Sequence, residues 1–242
     1  MSVLTINRNT IVDLVVPRSA AADVALITAG AALTAVAAQI SIPASPVPFT
    51  LQTLVVLLVG ASLGSVRGAL SMALYAVLGV VGLPVFAPLK DGSHAVGLQA
   101  VMGATFGFVI GFIAAAFVVG RLAERNWSSH AVKMFVSYAV GSIVIYAFGI
   151  PVLAAVATGG DIAIAAGIMA PFLLWDAVKA IIAAALPPNA AATFFIDNCR
   201  SEGITQQAGL PSTSTIRVFR VSAASNPKAA AAARPTASAE GS

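Results

Sequence analysis

Two ionisable residues interrupt the apolar run from Pro171 to Leu186, PFLLWDAVKAIIAAAL: Asp176 and Lys179. They are three positions apart, so on a helix they share a face and can meet. A carboxylate supplies hydrogen-bond acceptors and an ammonium supplies three donors. Between them they can hold a small polar molecule that carries both N–H and carbonyl or carboxylate groups. The same pair can instead neutralise itself and pin two helices, or the lysine can snorkel to an interface. A charge inside a membrane span costs roughly 2.5–3.5 kcal/mol on insertion scales, so such charges are rare and usually functional. Gln52 is a further polar group, early in another apolar stretch; it suits a ligand contact or an interhelical hydrogen bond. Tyr75, Phe86, Phe106, Phe108 and Trp175 can form an apolar wall for a ligand, or simply pack.

Composition says what surrounds these residues. Of 242 residues, 59% are hydrophobic and 9% charged, against a globular norm of about 25% charged. Mean hydropathy is +0.95. A soluble domain of this size has too little interior for so much apolar surface, so the lipid bilayer must be part of the solvent. The net charge of +4 comes without a basic patch interleaved with aromatics, which excludes nucleic acid as the natural partner. The single cysteine, Cys199, rules out an internal disulfide framework. His94 and His130 are far apart and make no metal pair, so neither a metal nor a cofactor is expected. HExxH and Walker A patterns are missing. Asp176 as an acid or base would lack a second catalytic group. The chain therefore reads as a binding protein rather than an enzyme, and any ATP-driven work needs a separate subunit.

The elements that must position the pair follow from hydropathy and breakers. Residues 1–20 form a polar leader, without the continuous apolar region a signal peptide needs. The reading is all-α: an integral membrane bundle of about six helices over residues 21–198, then a polar tail from 199 to 242 with no core of its own. The spans are 21–40, 50–64, 67–83, 101–120, 131–157 with Pro151 inside, and a sixth from Pro171, a favourable first helical position. Residues 161–170 suit a short interfacial helix before it. SIPASPVPF (41–49) has three prolines and cannot be helix. Gly103, Gly107 and Gly111 make one smooth face on the fourth span. Ala31/Ala35 and Ala25/Ala29 are small-xxx-small pairs that admit a close helix neighbour, internal or external. An even number of spans puts both termini on one side. That side holds Arg8, Arg18, Arg67, Arg121, Arg125, Lys133 and Arg200, while the opposite loops hold only Lys90. The positive-inside rule makes both termini cytoplasmic and loop 84–100 external. Asp176, five residues into a span that starts at Pro171, then lies 7–8 Å below its outer end at about 1.5 Å per residue.

PVPFTLQTL (46–54), RGALSMALYAVLGVVGLPVFA (67–87), GATFGFVIGF (103–112) and PFLLWDAVKA (171–180) resemble the motifs of the BioY family, the biotin-specific substrate-binding membrane subunits of energy-coupling factor transporters. The resemblance spans about residues 21–190 in order. It implies a multi-pass plasma-membrane protein that captures biotin from outside. It also implies a transmembrane coupling subunit and two ATPase subunits as partners. The family's Asp-x-x-Lys ligand pair maps onto Asp176 and Lys179, with Gln52, Tyr75 and Phe86 as further ligand contacts. Its docking motif on the first helix maps onto Ala31 and Ala35, facing outward. The sequence departs after Phe86, where APLKDGSHAVG replaces a glycine-rich stretch. Thiamine or riboflavin as the ligand, or a purely structural membrane subunit, are the readings this resemblance competes with.

Overall fold

The computed structural model describes residues 19–42, 46–125 and 131–185. The leader before 19, the expected boundary at 198 and the tail lie outside the described residues. In chain order come α1 (Ala20–Gln39), β1 (Ser41–Ile42), β2 (Phe49–Thr50), α2 (Gln52–Leu63), α3 (Ser65–Val81), α4 (Gly97–Val101), α5 (Phe106–Ala123), α6 (Ala131–Ala157) and α7 (Ile162–Ala185). The fold is an integral membrane helix bundle. α1, α5, α6 and α7 are each long and apolar enough to cross a bilayer; α2 and α3 are apolar but shorter. Their outer faces carry bare aliphatic side chains, such as Ile143, Leu174 and Ile181, which suit contact with lipid.

α5 sits at the centre, packed on α6, α3 and α2. α1 covers α3 and α2 on one flank, and α7 lies on α6 and the start of α2 on the other. The glycine face of α5 seats α6: a Cβ at Gly111 would come within 2.9 Å of the Ile145 carbonyl oxygen. That face therefore belongs to helix packing and leaves the aromatic side of α5 for the interior.

One end of the bundle is closed by charge. Ser65 opens α3, and its N–H and Oγ both donate to Glu124 Oε1 at the C-terminal end of α5, at 2.8 and 2.7 Å. The link from α2 to α3 turns at Gly64, where φ is +86°. Gly120 of α5 lies against it, and a Cβ there would meet the Gly64 carbonyl carbon at 2.4 Å. Arg67 is not a surface boundary charge. It is 2% exposed and pairs through Nε with Asp23 Oδ1 at 2.9 Å, tying α3 to the first turn of α1.

At the other end the loops fold inward. β1 and β2 pair antiparallel, Ser41 with Thr50 and Ile42 with Phe49. α2 begins only at Gln52 and is 12 residues long, about 18 Å at 1.5 Å per residue. The hairpin segment thus replaces the missing turns of a full span. α3 stops at Gly82, in the left-handed region with φ +114°, and the Leu83 N–H closes back on the Leu78 carbonyl. The loop that follows leads through α4, so the fourth span begins at Phe106 rather than 101.

The last span is also longer than expected. Thr158–Gly159–Gly160 breaks the chain, and Asp161 Oδ1 then accepts the N–H groups of Ala163 and Ile164 at 2.8 and 3.0 Å. This side-chain cap starts α7 at Ile162. The helix runs on through Pro171, which is an interior residue and not its first. Asp176 is consequently in the fourth turn of its helix, about 20 Å along the axis, and not 7–8 Å from its start.

Candidate functional site

Lys179 carries the most connected polar group at the centre of the bundle. Its Nζ donates to the Thr50 carbonyl and to Thr53 Oγ1, both at 2.7 Å, and to Asp176 Oδ1 at 3.1 Å. An ammonium has three N–H groups, so all three are engaged. Thr53 Oγ1 donates in turn to Asp176 Oδ1 at 3.1 Å, and the Tyr146 hydroxyl donates to Asp176 Oδ2. Four elements converge here. β2 brings a carbonyl, the first turn of α2 brings Thr53, α6 brings Tyr146, and α7 brings the charged pair. The α2 position follows from Thr50 and Gln52 flanking the helix start; the α7 position follows from the three-residue spacing.

An ionised carboxylate has about four acceptor sites. Asp176 uses two on Oδ1 and one on Oδ2, which leaves capacity for one more donor. The asymmetry is chemically specific: the pair can accept an incoming N–H at no loss, whereas Lys179 can donate outward only by releasing Thr50, Thr53 or Asp176.

Beside the pair lies a cavity of about 830 Å³, counting its open mouth. Gln52, Tyr75, Phe86, Asp176 and Lys179 all line it, as do Phe106 and Phe108. Gln52 Nε2 donates to the Tyr75 hydroxyl at 2.7 Å, and that hydroxyl donates to the Val85 carbonyl at 3.3 Å. The Tyr75 and Phe86 rings meet edge to face, 5.3 Å apart at 78°; Phe108 and Tyr146 meet the same way, 6.3 Å apart at 89°. Val47, Pro48, Thr50 and Ala87 belong to the loop side of the cavity. Phe49 of β2 stacks on Phe172 of α7 at 3.8 Å between centroids, so the hairpin is fixed to the helix that bears the pair.

The loop after Phe86 is anchored at its start. Gln39 Nε2 donates to the Val85 and Phe86 carbonyls at 3.5 and 3.4 Å, and His94 Nδ1 lies 2.9 Å from the Phe86 oxygen. Its charged tip, Lys90 and Asp91, is exposed. The Ser93 hydroxyl and N–H hold the Asp91 carboxyl below the usual carboxylate range. These charges take no part in the cavity.

Two expected roles change. Trp175 is 40% exposed and does not line the cavity; its ring lies 5.8 Å from Lys179 Nζ. Ala31 is 1% exposed and Ala35 is half-buried against the core, so Ala31 does not face outward as a docking motif requires. At 100° per residue it lies about 80° from the middle of the exposed stripe, at the edge next to Val24. That stripe carries Val24, Thr28 and Val36, with Ala25 and Ala32 half-exposed among them. Sequence reasoning passed over Thr50, Thr53 and Tyr146. A hydroxyl in mid-span was the available signal for Tyr146; Thr53 is one residue from Gln52 and shows nothing in the sequence of its contact with α7.

A bundle of membrane helices around a largely apolar cavity, with a fixed carboxylate–ammonium pair on its wall, defines a membrane-embedded binding protein for a small molecule. Comparison with known proteins narrows the class. The chain belongs to the BioY family, whose model matches residues 8–194. It is 42% identical to the biotin transporter BioY of Thermotoga maritima over 66% of this chain and 90% of that protein. It is 36% identical to the probable biotin transporter BioY of Pyrococcus horikoshii, over 67% and 92%. The fold is that of the crystallised S-component for biotin from an ECF-type ABC transporter, with a TM-score of 0.58 at 19% identity, covering 75% of this chain and 90% of that one.

Proposed function

We propose that this chain captures biotin from outside the cell as the substrate-binding membrane subunit of an uptake system. In this reading a transmembrane coupling subunit and two ATPase subunits supply the energy. The observation that carries it is the Asp176–Lys179 pair on the cavity wall, where Asp176 accepts from three protein donors and has capacity for a fourth. Biotin is a cyclic urea fused to a thioether ring, with a carboxylate on a flexible chain. A urea N–H suits Asp176. Gln52, with an amide that both donates and accepts, suits the other polar edges of the urea. Phe86, Phe108 and Tyr75 suit the apolar faces of the bicyclic body. Lys179 keeps the hairpin and Thr53 in place and balances the charge of Asp176. The names of the relatives support biotin over thiamine or riboflavin.

Calorimetric titration of biotin into purified protein, beside thermal unfolding, tests the reading. Asp176→Asn should cost about 1.5–3 kcal/mol of binding, the scale of a hydrogen bond to a charged group, or roughly 10- to 150-fold in affinity. Wild-type affinity in the Asp176→Asn, Lys179→Ala double variant would make the pair structural and move the site elsewhere.

For the coupling subunit, the outward stripe of α1 around Ala25, Thr28 and Ala32 takes the place of Ala31 and Ala35 in the proposal. Small side chains there let a partner helix approach closely.

A further inference from the structure

Two phenylalanines of the cavity wall share a construction. Phe86 lies against Gly79 of α3, and a Cβ at Gly79 would fall 2.2 Å from Phe86 Cζ. Phe108 lies against Gly149 of α6, and a Cβ at Gly149 would fall 2.3 Å from Phe108 Cδ1. Real Cβ atoms do not approach so closely, so any side chain at either glycine must displace the ring. Both glycines are buried, so the backbone behind each ring is fixed by packing. Each ring is held at its side as well. Phe86 meets Tyr75, which is hydrogen-bonded to Gln52. Phe108 meets Tyr146, which is hydrogen-bonded to Asp176. With helix behind and a tethered tyrosine beside, the open direction for each ring is the cavity that both line.

We propose that Gly79 and Gly149 are positioning residues that set the width of the cavity, by letting Phe86 and Phe108 sit back against bare backbone. The cavity then admits a bicyclic ligand between two walls, and a methyl group at either glycine narrows it. The second wall carries a further consequence: moving Phe108 moves Tyr146, and with it the donor that orients Asp176. This inference rests on the reading of the cavity as the biotin site.

The test measures biotin affinity and melting temperature for Gly79→Ala, Gly149→Ala, Phe86→Leu, Phe108→Leu and the pairs Gly79→Ala with Phe86→Leu and Gly149→Ala with Phe108→Leu. Each alanine alone should weaken binding at least tenfold. Adding leucine, a smaller side chain, should bring affinity back to within about threefold of the same leucine variant alone. Undiminished affinity in the alanine variants overturns the proposal. So does a loss that the leucine fails to reverse while melting temperatures match wild type. Wild-type protein that binds no biotin would instead refute the reading of the site. The width claim is then judged without ligand, through Thr105→Cys on the cavity wall in a Cys199→Ser background. Each alanine should slow its reaction with a bulky maleimide and spare its reaction with a small methylthiolating reagent. Equal rates with both reagents, as without the alanines, overturn it.

Discussion

Thr53 is the residue on which the charged centre turns. It receives a hydrogen bond from Lys179 and gives one to Asp176, so it satisfies both members of the pair at once. Thr53→Val keeps the shape and removes both bonds. It leaves a buried ammonium short of one acceptor, which costs about 1–3 kcal/mol or more. The expected outcome is a lower melting temperature and weaker biotin binding together, read by thermal unfolding and calorimetry. Adding Lys179→Met to Thr53→Val should lower the melting temperature further, because Asp176 is then buried without its counter-ion. The pair itself was legible in the sequence, since two charges in an apolar run have few explanations. Thr53 and Tyr146 were not, because a hydroxyl in a span is common and its partner is set by how α2 and α6 meet α7. Gln52, Tyr75 and Phe86 were legible as a set only through family resemblance; their spacing in the chain says nothing of a shared wall.

Among the elements, α3 and α5 are coupled at the end remote from the cavity. Glu124 caps the first turn of α3 through Ser65 and also meets Arg121 at 3.0 Å. Glu124→Ala strips two hydrogen bonds from a buried helix start. A loss of about 2–3 kcal/mol is expected, visible as a reduced melting temperature. Biotin affinity should stay within about threefold of wild type, because the cavity is at the other end of α5. On α1, Ala32→Trp on the exposed stripe should weaken co-purification of the coupling subunit and leave biotin binding intact; the same change at Ala31 should instead destabilise the bundle, since Ala31 is buried. Spans were readable from hydropathy within a few residues for α1, α3 and α6. α7 was not, because Pro171 looks like a start. The cap at Asp161 and the glycine turn before it outweigh one proline, whose missing N–H costs a single helical bond.

At the scale of the whole molecule, the two ends differ in kind. One gathers Asp23, Arg67, Arg121 and Glu124 around the starts of α1 and α3; the other is loops around the cavity mouth. The positive-inside rule counts Arg67, Arg121, Arg125 and Lys133 on the first end, and on that ground we propose that the mouth faces outside. A cysteine at exposed Asp91, with Cys199→Ser, should react with a membrane-impermeant thiol reagent added to intact cells. Protection there, with reaction only after lysis, would invert the orientation. The saturated contacts of Lys179 bear on how such a protein waits. A receptor whose charges were completed only by its ligand would be fragile when empty, with a bare ammonium in a low-dielectric interior. Here protein groups alone supply three acceptors to the lysine. Keeping that charge in the bilayer then draws on the fold itself. A guest adds to this the stabilisation that mass action requires.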